Sequence, residues 1–266
     1  MSNPVPTVFV SHGGPDIVLN DTPASRYLKS LPQLTGKPKA IVLVSAHFET
    51  DGPVVVTDAH PEMIYDFGGF QRELYELVYP APGEPDVAMR VAHMLADAGF
   101  KPRIAPKRGY DHGAWTTMKL AFPQADVPIV QLSIDPHRDA AYHFALGRAL
   151  APLREEGVLL VGSGHITHNL SAVFGAMRGG ETPDPRMVQA VAEFTEWFAD
   201  AFEEGDEAAI LAWRARAPFV RENHPTDEHL MPLFFAYGAA GPDAKATRAH
   251  ASKEMGFFAY DSWVFA

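Results

Sequence analysis

Uninterrupted apolar runs recur along the chain, at Thr7–Ser11 (TVFVS), Ala40–Ala46 (AIVLVSA), Val54–Thr57 (VVVT), Pro128–Ile134 (PIVQLSI) and Val158–Gly162 (VLLVG). Runs without polar alternation predict strands buried on both faces, as in the middle of a covered sheet. Segments with helical spacing lie between them. Asp86–Gly99 places Val87, Val91, Met94, Leu95 and Ala98 on one stripe, and Ala140–Leu153 does the same with Tyr142, Leu146, Ala149, Leu150 and Leu153. Met187–Phe202 carries Val188, Val191, Thr195, Phe198 and Phe202. From Ser171 onward the pattern is mostly helical, and Gly256–Phe265 reads as a returning strand. Strands alternating with helices predict one α/β domain over residues 1–266. Its expected form is a central, mostly parallel sheet flanked by helices, with the site at the carboxyl ends of the strands. No repeat, low-complexity tract or Ser/Gly linker divides the chain.

Composition narrows the chemistry. The 266 residues include 22 Lys+Arg against 33 Asp+Glu, a formal charge of −11. That acidic balance argues against nucleic acid as a partner, because phosphate binding needs Lys/Arg stripes. No window offers the ~18 apolar residues of a membrane span, and MSNPVPTVFV lacks the basic and apolar segments of a signal peptide. A cytoplasmic protein with no membrane partner is the expectation. With no cysteine there is no disulfide, thiolate nucleophile or cysteine-held metal. Any metal must therefore be held by imidazole and carboxylate, a donor set that favours iron or zinc. Histidine is plentiful, at 12 residues.

Three predicted strands run into histidine: VFVSHGGP (His12), VLVSAHFE (His47) and VLLVGSGHITHN (His165 and His168). Side chains from separate strand ends can converge on one point. Each also has a plainer reading, His12 as a residue capping the Gly-Gly turn and His47 as a satisfied core histidine. His165 and His168, three apart in one loop, are not expected to point the same way. His112 in GYDHGAW opens an apolar helix from Trp115, where Asp111-His112 could simply be a cap or turn. HPTDEHLMPLFF holds His224, Asp227, Glu228 and His229 just before or within a helix. Adjacent helical residues diverge by ~100°, so Glu228 and His229 are not expected to face one metal together. His60, His93, His137, His143 and His250 read as solvated.

The motifs SHGGP, SAHFE, YDFGGFQRELYELVYPAPG, GYDHGAW, VQLSID, GSGHITHNL and HPTDEHLMPL, in that order and spacing, resemble the class III extradiol ring-cleavage dioxygenases. The resemblance is to their DOPA-dioxygenase-like subfamily, whose members open the ring of L-DOPA or similar catechols. It spans about residues 7 to 265. It implies a non-haem Fe(II) centre, with Zn(II) able to take the same site. The implied partners are a small aromatic diol and O₂, and a homodimer is compatible with it. By position, His12, His47 and His229 correspond to metal ligands, and His168 to the catalytic base, with metal binding as a second role. His112 corresponds to the histidine that orients substrate and oxygen. Other members, such as protocatechuate 4,5-dioxygenase, use a glutamate as third ligand, which leaves Glu228 as the alternative to His229. His165 has no counterpart in the family pattern. Phe48 stands where a tryptophan is expected, a change that should reshape the pocket without touching the metal. Phe67, Phe70, Tyr110 and Trp115 are candidates to wall the ring.

The implied chemistry explains the residue types. Three protein ligands leave coordination positions for two catechol oxygens and O₂. Coordination lowers the pKa of one hydroxyl. A histidine suits the second proton, and insertion of oxygen beside the diol gives a hydroxymuconic semialdehyde-type product. Two other readings stay open on sequence: a zinc hydrolase using the same histidines, and a silent relative serving as a binding module.

Overall fold

The longest apolar runs take the middle of the sheet, where no strand needs a polar face. The computed structural model describes residues 4–179 and 184–266. Its strands are β1 (Thr7–Ser11), β2 (Ala40–Glu49), β3 (Val54–Val56), β4 (Arg103–Ala105), β5 (Ile129–Ile134), β6 (Val158–Gly164), β7 (Ala246–His250), β8 (Lys253–Glu254), β9 (Phe258–Ala259) and β10 (Ser262–Phe265). The helices are α1 (Pro23–Thr35), α2 (Pro85–Asp97), α3 (His112–Ala121), α4 (Ala140–Leu150), α5 (Leu170–Gly179), α6 (Pro185–Glu204), α7 (Glu207–Leu211), α8 (Trp213–Arg216), α9 (Val220–Asn223) and α10 (Met231–Ala239).

Among the described residues, one eight-stranded sheet runs in the order β4-β3-β5-β2-β6-β1-β10-β7. The inner strands β5, β2, β6 and β1 are parallel. β3 joins β5 antiparallel, and β10 pairs antiparallel with β1 and β7 at the other edge. Consecutive residues of β6 show which helices cover which face. Gly162 presses on the Pro232 backbone of α10, while Ser163 reaches Gly113 of α3. So α10 and α4 cover one side, and α3 and α1 the other. None of the described helices is long and apolar enough to cross a membrane.

The expected strands and helices are present, with shifts that have local causes. β2 does not stop at Ala46 but continues to Glu49 through a bulge in its pairing with β5, so His47 lies inside the strand. α4 ends at Leu150, and Ala151–Glu156 tightens into a 3₁₀ turn carrying Pro152, which has no N–H to extend the helix. The C-terminal run expected over Gly256–Phe265 divides into β9 and β10. His60, His93 and His137 are exposed, as expected. His143 is not: it is fully buried, its Nδ1–H donating to the Asp139 carbonyl (2.8 Å) and its Nε2 accepting from the Asp135 N–H (3.2 Å). Both ring nitrogens are paired, which is how a core tolerates an imidazole. His250 is half-buried and stacks on Tyr27.

Candidate metal centre

The parallel strands deliver their carboxyl ends to one place, and three imidazoles meet there. His12 leaves β1, His47 projects from the end of β2, and their Nε2 atoms lie 3.1 Å apart. His229 arrives from the turn before α10, anchored where its carbonyl accepts the His165 N–H (2.8 Å). That approach requires Gly164, because a Cβ there would overlap the His229 carbonyl. One nitrogen from each of His12, His47 and His229 lies within 4.8 Å of the other two. Nitrogens sharing one ion at ~2.1 Å sit about 3–3.5 Å apart, so small rotations suffice to bind it.

Hydrogen bonds decide which nitrogen each ring offers. The Ser163 hydroxyl donates its one proton to the Gly113 carbonyl (2.6 Å), so it must accept from His12 Nδ1 (3.1 Å). Nδ1 therefore carries the proton and Nε2 the lone pair. His229 is set the same way, with Nδ1–H donating to Glu228 Oε1 (2.8 Å). Its Nε2 is buried and has no partner among the described residues. A buried imidazole nitrogen with a free lone pair, facing two other imidazoles, is suited to bind a cation. Burial lowers the pKa of His12, His47 and His229, with neighbouring imidazoles adding to the effect; His47 falls to about 4. All three stay neutral near pH 7, the form that binds metal. The residues present fit a divalent metal.

Two further histidines flank the trio. His112 begins α3, its ring 4.0 Å from that of His47, and its Nδ1 bonds Asp66 Oδ1 (3.0 Å). Asp111 caps the same helix by accepting the Ala114 N–H (3.0 Å), so the capping role weighed for Asp111-His112 falls to the aspartate. His168 stacks on His229 at 3.3 Å between centroids, and its Nδ1 is 3.8 Å from Glu228. Burial, then nearby imidazoles, push the His168 pKa down to about 2. His165 does not join His168 at the cluster, their rings standing 6.4 Å apart. It is buried between Phe258 (4.1 Å, stacked) and Tyr260, 6.3 Å from the His12 ring.

The helical argument separating Glu228 from His229 fails because residues 225–230 form a turn rather than a helix. Glu228 lies beside His229 and His168 on the Nδ1 side of the His229 ring, where it acts as a hydrogen-bond acceptor and does not join His12 and His47. Behind His47 lies a network without counterpart in the sequence reading. Ser45 Oγ accepts the His47 N–H (3.2 Å) and donates to Asp111 (2.6 Å), while Arg108 bridges Asp111 (2.9 Å), Gln131 (2.7 Å) and the His47 carbonyl (3.3 Å). Phe48 alternates with His47 and so points to the other face, packing with Val54 and Val56 under the Arg108 guanidinium (3.9 Å). It does not shape the pocket. Of the candidate ring walls, Tyr110 and Trp115 are fully buried core, whereas Phe67 meets His112 edge-on at 5.9 Å and is backed by Phe70. The sequence names the site histidines but not their partners: Ser45 and Ser163 sit inside the strand-end motifs without a signal of their own, and Arg108 and Asp66 lie outside those motifs.

Residues 5–263 match the family model described as the catalytic LigB subunit of aromatic ring-opening dioxygenase. The chain belongs to the LigB family. It is 40% identical over 263 residues to a Beta vulgaris protein named 4,5-DOPA dioxygenase extradiol, covering 97% of this chain and 96% of the relative. An Escherichia coli (strain K12) protein of the same name is 39% identical over 251 residues, covering 90% and 86%. The crystal structure of an uncharacterized protein from Escherichia coli K12 superposes with a TM-score of 0.80 at 33% identity, covering 98% of this chain and all of that one. This LigB-family chain is an extradiol, aromatic ring-opening dioxygenase of a metal-dependent family. That sets aside the hydrolase and the silent binding module.

Proposed function

We propose that this LigB-family dioxygenase opens a small catechol, DOPA or a close analogue, at Fe(II) held by His12, His47 and His229. The observation carrying this is the convergence of three neutral imidazoles, with His229 Nε2 buried and unpartnered. Relatives named 4,5-DOPA dioxygenase extradiol support the substrate class. A bound divalent metal would acidify a coordinated catechol hydroxyl and bring diol and O₂ together. The chain's own residues do the rest. Phe67 offers a face for the aromatic ring beside His112. His168, held by its stacking on His229, is the residue suited to accept the second hydroxyl proton, the negative charge developing on the diol offsetting the burial that disfavours its cationic form. His112 lies across the cluster from His168, next to His47, where it can bond the substrate or oxygen.

The test is anaerobic loading of purified protein with Fe(II), followed by catechols and air. A yellow ring-fission product with matching O₂ uptake is expected. His12→Ala, His47→Ala and His229→Ala should each lose metal by elemental analysis and lose activity. His168→Ala should keep its metal and lose about 10²–10⁴-fold in kcat. A fully active His168→Ala protein would remove that residue from the mechanism.

A further inference from the structure

Asp66 belongs to a loop that carries no regular secondary structure, yet both its oxygens face the histidine cluster. Oδ1 accepts two hydrogen bonds from the same residue, the main-chain N–H of His112 (3.0 Å) and its Nδ1 (3.0 Å). Oδ2 lies 3.9 Å from His47 Nδ1. A carboxylate beside an imidazole nitrogen accepts and does not donate, so the proton on that side belongs to His112 Nδ1. The hydrogen bonds that the His112 ring makes among the described residues all go through Nδ1, which leaves the opposite nitrogen, Nε2, for a ligand. The double acceptance also fixes the ring's direction, because a ring flip about χ2 would turn a carbon toward Oδ1 in place of Nδ1.

We propose that Asp66 is a positioning residue that holds His112 as the Nδ1–H tautomer, with Nε2 presented to the bound substrate or oxygen. This rests on the reading of His112 as a substrate- or oxygen-facing group. The neighbouring side chain extends the point. Phe67 sits edge-on to the His112 ring at 5.9 Å, so one short loop sets both the aromatic wall and the orientation of the histidine. A simpler role competes. Asp66 also satisfies an N–H in the first turn of α3, and a capping acid alone would raise stability without choosing a tautomer.

Two variants separate these roles. Asp66→Ala removes both acceptors, whereas Asp66→Asn keeps Oδ1 for the two N–H groups of His112 while losing the charge and turning the oxygen near His47 into an NH2 donor. The first readout is the imidazole ¹⁵N spectrum of zinc-loaded protein, which distinguishes Nδ1–H from Nε2–H rings and needs no turnover. Wild type and Asp66→Asn should show His112 protonated at Nδ1, and Asp66→Ala should lose that preference. The second readout is kinetic, with Fe(II)-loaded enzyme. Asp66→Ala should lose about 10–100-fold in kcat at unchanged metal content and with KM changed by less than about threefold. Asp66→Asn should recover most of the loss. An Nε2–H His112 in wild type would overturn the proposal, as would an Asp66→Ala protein with an unchanged ¹⁵N spectrum. Loss of metal from Asp66→Ala would overturn it too, by showing that Asp66 acts through His47. If no catechol is opened by wild type, the proposed function fails while the ¹⁵N result still decides the tautomer.

Discussion

At the scale of single residues, the centre depends on groups that never touch a metal. Ser163 sets the His12 tautomer with one hydroxyl proton passed on to Gly113. Ser163→Ala should therefore weaken metal binding by about 10–100-fold, read by competition with a chelator. An unchanged affinity would show that His12 is held by packing alone. Gly113 is constrained from a different direction. A Cβ there would stand 2.7 Å from Ser45 Oγ, 3.0 Å from His47 Cδ2 and 3.2 Å from His12 Nδ1, pressing on two proposed ligands at once. Gly113→Ala should lose metal affinity while its melting temperature falls by only a few degrees, because the nearest neighbours are side-chain atoms that can turn. A large drop in stability with normal metal binding would contradict that account.

At the scale of elements, α4 and α10 cross in backbone contact. A Cβ on Gly238 would overlap the Phe144 carbonyl, and one on Gly147 the Phe235 carbonyl. Backbone cannot move aside as a side chain can, so Gly238→Ala should cost about 3 kcal/mol, measured by urea unfolding. A cost below about 1 kcal/mol would mean that the helices slide apart easily. The elements also mark how far the chain can be read without coordinates. The inner strands β1, β2, β5 and β6 are legible because burial on both faces leaves apolar runs with no competing interpretation. Edge strands such as β4 (RIA) and β7 (ATRAH) are not, since their half-exposed positions carry no period of their own. His12, His47, His112, His168 and His229 are visible as strand-end and turn motifs, while Asp66 is silent because a loop aspartate in YDFGG has no pattern to betray it. The relation of Glu228 to His229 is illegible because residues 225–230 form a turn, to which helical spacing does not apply.

For the molecule as a whole, buried imidazoles should make the fold sensitive to acid. Burial brings the pKa of His143 and of His224 to about 4. The unfolded chain takes up those protons near pH 6.5, so stability is lost as pH falls from 6.5 toward 4, on the order of 3 kcal/mol for each residue. Asp261 has the opposite sign. Burial raises its pKa to about 6 despite Arg248, so its contribution is fully present below the ordinary carboxylate range and lost as pH rises through 6. Replacing His143 by Gln should lower stability at pH 7 and flatten the stability curve between pH 6.5 and 4. Parallel curves for variant and wild type would refute this.

The antiparallel pairing of β1 with β10, Thr7 opposite Phe265, ties nearly the first described residues to nearly the last. His12 hangs from that closed seam. Loss of β10 would therefore unbrace the strand that leads into His12, so a proposed ligand near one end of the fold is held by residues near the other.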